Sequence, residues 1–220
     1  AGRDERPFDL SMQQPARAWP EPARLQQLLQ KLNNAKRPVL IGGHGVWWAK
    51  AEAKLEEAGR LLGIPVFNIP YHQKLLGEEC EAYMGLADIH QYHPSADAFR
   101  DADLVLMVGG RLDNQMNFGN PPLFPSSAKL VCVNGSHEEI EFNRAADFAS
   151  LCDPAAFLEA LVAHQQNPDF RLPRDWYDLN RQWRADWVER MLADLDHETA
   201  QPAFDGRIHP LQLALDVQAA

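Results

Sequence analysis

Arg37-Pro38-Val39-Leu40-Ile41-Gly42-Gly43-His44-Gly45-Val46-Trp47-Trp48 is the stretch on which the reading of the fold turns. Three apolar residues follow a proline and run into Gly42, Gly43 and Gly45, after which helix-forming residues continue through positions 49–62. The order is strand, glycine turn, helix. Glycine lets the backbone adopt positive φ, and a helix N-terminus just beyond directs N–H groups outward, as a phosphate requires. The same glycines also suit a turn that merely joins a strand closely to a helix, and the motif alone leaves both readings open.

Outward from this turn, strand and helix signals alternate. Upstream, Pro22 opens a helix in which Leu25, Leu28, Leu29 and Leu32 recur at helical spacing. Downstream, a helix over about 48–62 places Ala51, Leu55, Ala58, Leu61 and Leu62 on one face, with Gly63 as its cap. Residues 64–70 read as a second strand. Residues 71–93, rich in His, Gly and Tyr, have no clear period and read as loop with one helical turn. A helix over 94–101 then leads into residues 102–108, an apolar run of the kind buried on both faces of a sheet. An irregular loop over 112–127 is followed by a further buried strand at 128–133, which ends in Asn134-Gly135-Ser136. Asp153 caps a last helix over 154–164, with Phe157, Leu158, Leu161 and Val162 inward.

Four strands alternating with four helices predict an α/β fold: a doubly wound parallel sheet with helices on both faces, Rossmann-like, over residues 22–165. Residues 1–21 are polar and broken by prolines, and read as a linker from a preceding domain. Residues 166–207 read as a second linker containing a long amphipathic helix. Its stripe of Trp176, Leu179, Trp183, Trp187, Met191 and Leu195 is a packing face, to lie across the domain or against a partner. Residues 208–220 start a new element, as in a piece of a longer protein.

Composition narrows the function classes. A net charge of -10, from 21 basic and 31 acidic residues, argues against nucleic acid or an anionic membrane as the main partner. No apolar run approaches the roughly 20 residues that cross a bilayer. Cys80, Cys132 and Cys152 are an odd number and form no Cys-x-x-Cys pair, which reads as reduced thiols in a cytoplasmic protein. His90-x-x-His93 with His72 is a weak zinc signal, and Ser126-Ser127 sits in a proline-rich loop with no histidine and carboxylate recognisably placed around it.

The order of the quoted turn, then Leu61-Leu62-Gly63-Ile64-Pro65-Val66, then residues 101–111 from Asp101-Ala102-Asp103 through Gly109-Gly110-Arg111, then Lys129-Leu130-Val131-Cys132-Val133-Asn134, resembles the middle domain of thiamine-diphosphate-dependent enzymes. This is the family of acetolactate synthase, benzaldehyde lyase, oxalyl-CoA decarboxylase and pyruvate oxidase. Pro7-Phe8-Asp9-Leu10-Ser11-Met12 resembles the end of that family's first domain, and Ile208-His209-Pro210-Leu211 the first helix of its third.

The resemblance implies a carboligase or decarboxylase with thiamine diphosphate and magnesium held between first and third domains of paired subunits, as a dimer or tetramer. The middle domain would act as scaffold, and this polypeptide alone would not be catalytic. Phe204-Asp205-Gly206 departs from the family's Gly-Asp-Gly motif, and no partner asparagine follows it. In some members the middle domain binds FAD or ADP. By matching positions, the candidate contacts are Gly43, His44 and Gly45 in the first turn, Gly110 and Arg111 after the third strand, which contains Leu104, and Asn134, Gly135 and Ser136 after the last. Flavin-binding members carry Asp-x-Asp where this chain has Asn134-Gly135-Ser136, which counts against a bound adenine nucleotide. Arg111 suits a phosphate or ribose contact, or alternatively a surface pair with Asp113. Trp47 and Trp48 suit stacking on an adenine or covering the sheet edge. The rival reading is a free-standing nucleotide-binding module of the same fold.

Overall fold

The structure, a computed structural model, describes residues 16–70, 75–88, 90, 93–140, 142–164, 174–199, 208, 210, 213, 216 and 217. The domain end at residues 7–12, His72 and the Phe204-Asp205-Gly206 triplet lie outside the described residues, as do His209 and Leu211.

The chain begins with α1 (Pro22–Asn34) and β1 (Pro38–Gly42), followed by the short α2 (His44–Trp48), α3 (Glu52–Leu62), β2 (Val66–Asn68) and β3 (Tyr83–Leu86). Next come α4 (His93–Asp101), β4 (Leu104–Val108), β5 (Lys129–Asn134), β6 (Phe148–Leu151), α5 (Pro154–His164) and α6 (Arg174–Thr199). One six-stranded sheet has the order β3-β2-β1-β4-β5-β6, and every pairing is parallel. This is the expected doubly wound sheet.

Central strands β1 and β4 are buried at all five of their positions, so the sheet is covered on both faces. Their side chains explain this. Val39, Leu40 and Ile41 beside Val105, Leu106 and Met107 form a continuous apolar slab with no polar alternation. Helix α3 packs against α5, and α4 against α6. Gly63 ends α3 in the left-handed conformation (φ 65°), which its missing Cβ makes inexpensive. Asp153 caps α5 by accepting from Ala156 N–H at 2.9 Å. All three cysteines are free and buried.

The elements differ from the sequence pattern in three places. The single helix expected over 48–62 is two, because Lys50 takes φ 51° and redirects the chain between α2 and α3. Strands β3 and β6 are additional to the four expected. Each is four residues long and pairs on one side only. Such strands lack the long apolar run that marks a central strand.

The first turns of α6 lie on the domain. Trp176 is buried and donates Nε1–H to the Pro38 carbonyl at 2.9 Å, while the Tyr177 hydroxyl donates to the Glu81 carbonyl at 2.9 Å. Trp183 meets Trp176 edge to face at 5.8 Å, and Arg184 pairs with Glu78. Burial, with the Glu81 charge nearby, pushes the Tyr177 hydroxyl up to about 12, so it remains a donor across the ordinary pH range. Residues 188–194 are exposed, among them Val188, Met191 and Leu192. None of the described helices is long and apolar enough to cross a membrane.

Candidate functional site

In a doubly wound sheet, the strand order reverses between the two central strands, and a crevice opens at their carboxyl ends. Here those strands are β1 and β4. The crevice is bounded by the glycine turn after β1, the Gly109-Gly110-Arg111 turn after β4 and the residues that follow β5.

The two turns touch through their backbones. A Cβ on Gly43 would lie 2.5 Å from the Gly109 carbonyl oxygen, and one on Gly45 would lie 2.7 Å from the Gly109 Cα. Gly109 itself takes φ 66°, a left-handed conformation that turns the chain sharply out of β4. The amides of the turn serve this contact. Gly43 N–H donates to Val108 O at 2.9 Å, Gly45 N–H to Gly109 O at 2.7 Å and Val46 N–H to Gly43 O at 3.0 Å. The first two N–H groups therefore hold the turn to the end of β4 and the third closes the turn on itself, so none of the three faces outward as a phosphate cradle. The helix behind them, α2, has only five residues.

Above the turns lies a cavity of about 400 Å³. His44, Gly45 and Trp48 line it from the first turn and α2, Gly109, Gly110, Arg111 and Asp113 from beyond β4, and Asn134 and Glu139 from beyond β5, with Ile69 on the β2 side. Of the eight residues singled out in the sequence, His44, Gly45, Gly110, Arg111 and Asn134 line the cavity, whereas Gly43, Gly135 and Ser136 do not. Gly43 is taken up by its contact with Gly110. Ser136 contributes its N–H to Asn134 Oδ1 at 3.1 Å, closing a small turn that orients the asparagine, whose Nδ2 donates to Gly110 O at 3.4 Å.

Asp113, Glu139 and Trp48 complete the polar and aromatic lining. Arg111 pairs with Glu139 at 3.2 Å, and its guanidinium lies over the Phe142 ring at 4.9 Å. Burial pushes the Asp113 carboxyl up from its ordinary value, against the opposing pull of the Gln115 N–H and the Arg111 charge. The two tryptophans separate in role. Trp47 packs on the core, while Trp48 is 75% exposed and stands edge-on to Trp47 at 4.7 Å. Glu139 and Asp113 had a faint sequence signal, each lying within three residues of a singled-out position, but the approach of Glu139 to Arg111 depends on the parallel registry of β4 and β5.

The loop beneath the cavity is held by a residue with no motif around it. Arg144 donates to the carbonyls of Gly119 at 3.0 Å, Pro125 at 3.3 Å and Ala128 at 2.8 Å, clamping the return from β4 to β5. Within that loop Asn117 and Phe118 both take left-handed backbone angles, with φ of 49° and 53°.

Comparison with known proteins agrees with this fold. Residues 25–161, more than half of the chain, match the model of the thiamine pyrophosphate enzyme central domain. A 2-hydroxyacyl-CoA lyase of Dictyostelium discoideum is 31% identical over 115 residues, which are 52% of this chain and 19% of that protein. An acetolactate synthase of Mycobacterium bovis is 26% identical over 161 residues, 72% of this chain and 26% of that protein. Among solved structures, a thiamin diphosphate-dependent enzyme from Mycobacterium smegmatis, itself described as putative, superposes with a TM-score of 0.60 at 24% identity, covering 73% of this chain and 31% of that one. The chain thus spans roughly a fifth to a quarter of the length of these curated relatives. Among the described residues no group of three or more His, Cys, Asp or Glu is placed to hold a metal ion.

Proposed function

The chain belongs to the thiamine pyrophosphate enzyme central-domain family, and from that membership we propose that it is the non-catalytic middle of an acetolactate-synthase-like carboligase or decarboxylase. In this reading it is a scaffold between two catalytic domains of the same polypeptide, in a cytoplasmic dimer or tetramer. Thiamine diphosphate with magnesium, bound elsewhere in such an enzyme, supplies the carbanion chemistry. This chain's own contribution is a rigid sheet and a small-molecule site at the sheet's switch point.

We propose further that this site takes an adenine nucleotide, either ADP or the ADP portion of FAD. The observation that carries the reading is the cavity of about 400 Å³ at the ends of β1 and β4, a volume within the usual range for small-molecule sites. Arg111 offers a fork for phosphate oxygens, Asn134 offers an amide for ribose hydroxyls, and the exposed Trp48 indole offers a flat surface for a base. Because the glycine-turn amides already serve β4, side chains would hold the phosphates.

Differential scanning fluorimetry with ADP, FAD and coenzyme A tests the nucleotide. Ligand at a hundred times its Kd stabilises a fold by about 2.7 kcal/mol, which raises the melting temperature by several degrees. No shift with any of the three would rule the nucleotide out. Assays for carboligation and decarboxylation test the scaffold role, since turnover by these 220 residues alone would overturn it.

A free-standing nucleotide-binding module of the same fold is the second reading, resting on the cavity at the ends of β1 and β4 and needing no thiamine chemistry. The length of the parent open reading frame separates the two.

A further inference from the structure

Among the described residues one arginine lines the cavity, and another of the lining residues already engages it. Arg111, just beyond β4, and Glu139, at the end of a short 3-10 turn beyond β5, meet at 3.2 Å with side chains 47% and 37% exposed. Both line the cavity, together with Asp113. An incoming phosphate would therefore meet a guanidinium whose charge is partly neutralised and one of whose donors is already engaged.

The geometry also shows how this pair would give way. The contact is a single one between half-exposed groups, the kind of ion pair that contributes little and that other anions displace. A phosphate carries more charge and presents two oxygens to the guanidinium fork, so it outcompetes a singly engaged carboxylate. The Phe142 ring, 4.9 Å from the guanidinium, keeps Arg111 in position while the partner changes.

We propose that Glu139 is an internal competitor for Arg111 and thereby a specificity-determining residue: it weakens the binding of phosphate-bearing ligands and leaves uncharged nucleosides unaffected. The inference rests on the nucleotide reading of the same cavity. Glu139 is a positioning residue here, since it acts on the ligand through Arg111.

The test is isothermal titration of the wild-type chain, Glu139→Gln, Arg111→Gln and the double variant with ADP and with adenosine. Both positions are exposed enough that the fold, checked by circular dichroism, is expected to persist. In Glu139→Gln the Kd for ADP should tighten about fivefold, the change corresponding to loss of one exposed ion pair. Adenosine should bind as before, and in the Arg111→Gln background the Glu139 change should have no effect on ADP. Tightening of adenosine by the same factor, an ADP gain that persists without Arg111, or an unchanged Kd for ADP would overturn the competitor role and leave the nucleotide reading standing. If neither wild type nor Glu139→Gln binds ADP, both fall together.

Discussion

Gly43 and Gly110 pack backbone to backbone, so closely that a Cβ on Gly43 would overlap the Gly110 Cα and lie 2.7 Å from its nitrogen. The obstructing atoms are main chain within two turns tied together by Gly43 N–H to Val108 O and Gly45 N–H to Gly109 O, so they have no rotamer by which to yield. Gly43→Ala should lower stability by about 1–3 kcal/mol or more, the range for forced overpacking. A urea midpoint equal to that of the wild type would contradict this account of the turn.

Arg144 should matter more than its lack of a motif suggests. Its guanidinium satisfies three carbonyls of the loop between β4 and β5, and replacing it with Met leaves all three to find water. We expect a loss of about 2 kcal/mol, in line with hydrogen bonds from a charged donor. Faster amide exchange confined to residues 112–128 is the accompanying sign. Uniform exchange across the domain would point to a different role.

Phe118 holds φ 53° and is 45% exposed, so its backbone is strained while its ring is only partly packed. Left-handed backbone costs a residue with a Cβ about 1–2 kcal/mol, a cost that glycine escapes. Comparing Phe118→Gly with Phe118→Ala cancels the loss of the ring. The glycine variant should be the more stable by about 1 kcal/mol, whereas alanine matching or exceeding it would show that the loop relaxes.

Asp147 gives the fold a dependence on acid. Burial by itself would raise its carboxyl, but Lys129 at 2.8 Å, the Leu130 N–H at 3.0 Å and the Arg144 charge outweigh burial and hold it below its ordinary value. A carboxyl depressed in the folded chain takes its proton first in the unfolded one. Its stabilisation is therefore complete above the unfolded pKa of about 3.9 and is lost as pH falls through the lower folded value. Asp147→Asn should be less stable than wild type at pH 7, and the gap should shrink as pH drops below about 4. Denaturation curves across that range decide it, since a gap that is constant with pH would remove the charge from the explanation.

How much of this was legible in the sequence depended on burial. Strands β1, β4 and β5 are continuous apolar runs because both faces are covered, and such runs are visible without any structure. Strands β3 and β6 were invisible for the opposite reason. Tyr83-Met84-Gly85-Leu86 carries a glycine at φ 116°, and Phe148-Ala149-Ser150-Leu151 ends in an exposed leucine, so neither shows an apolar run. At the site, the glycines were readable as a turn, but what their amides bind was not. Gly45 N–H reaches Gly109 O across 64 residues of chain, a pairing set by the β1–β4 registry and by no local pattern. Glu139 escaped for the same reason, since its place beside Arg111 follows from how β4 and β5 lie side by side.

Helix α6 makes the domain a lever. Its 26 residues extend about 39 Å at the standard rise of 1.5 Å per residue. It is anchored over its first half, where Trp176 is bonded to Pro38 at the start of β1, Tyr177 to Glu81 just before β3 and Arg184 to Glu78, and Trp187 packs on the core. Because the helix is uncovered over residues 188–194, a tilt of a few degrees beyond Trp187 is multiplied along the remaining turns into a displacement of about an ångström at Thr199. Pro38 leads directly through β1 into the glycine turn at the cavity. A strain of that turn would thus reach α6 first at Trp176, where the helix is bonded to the start of the same strand.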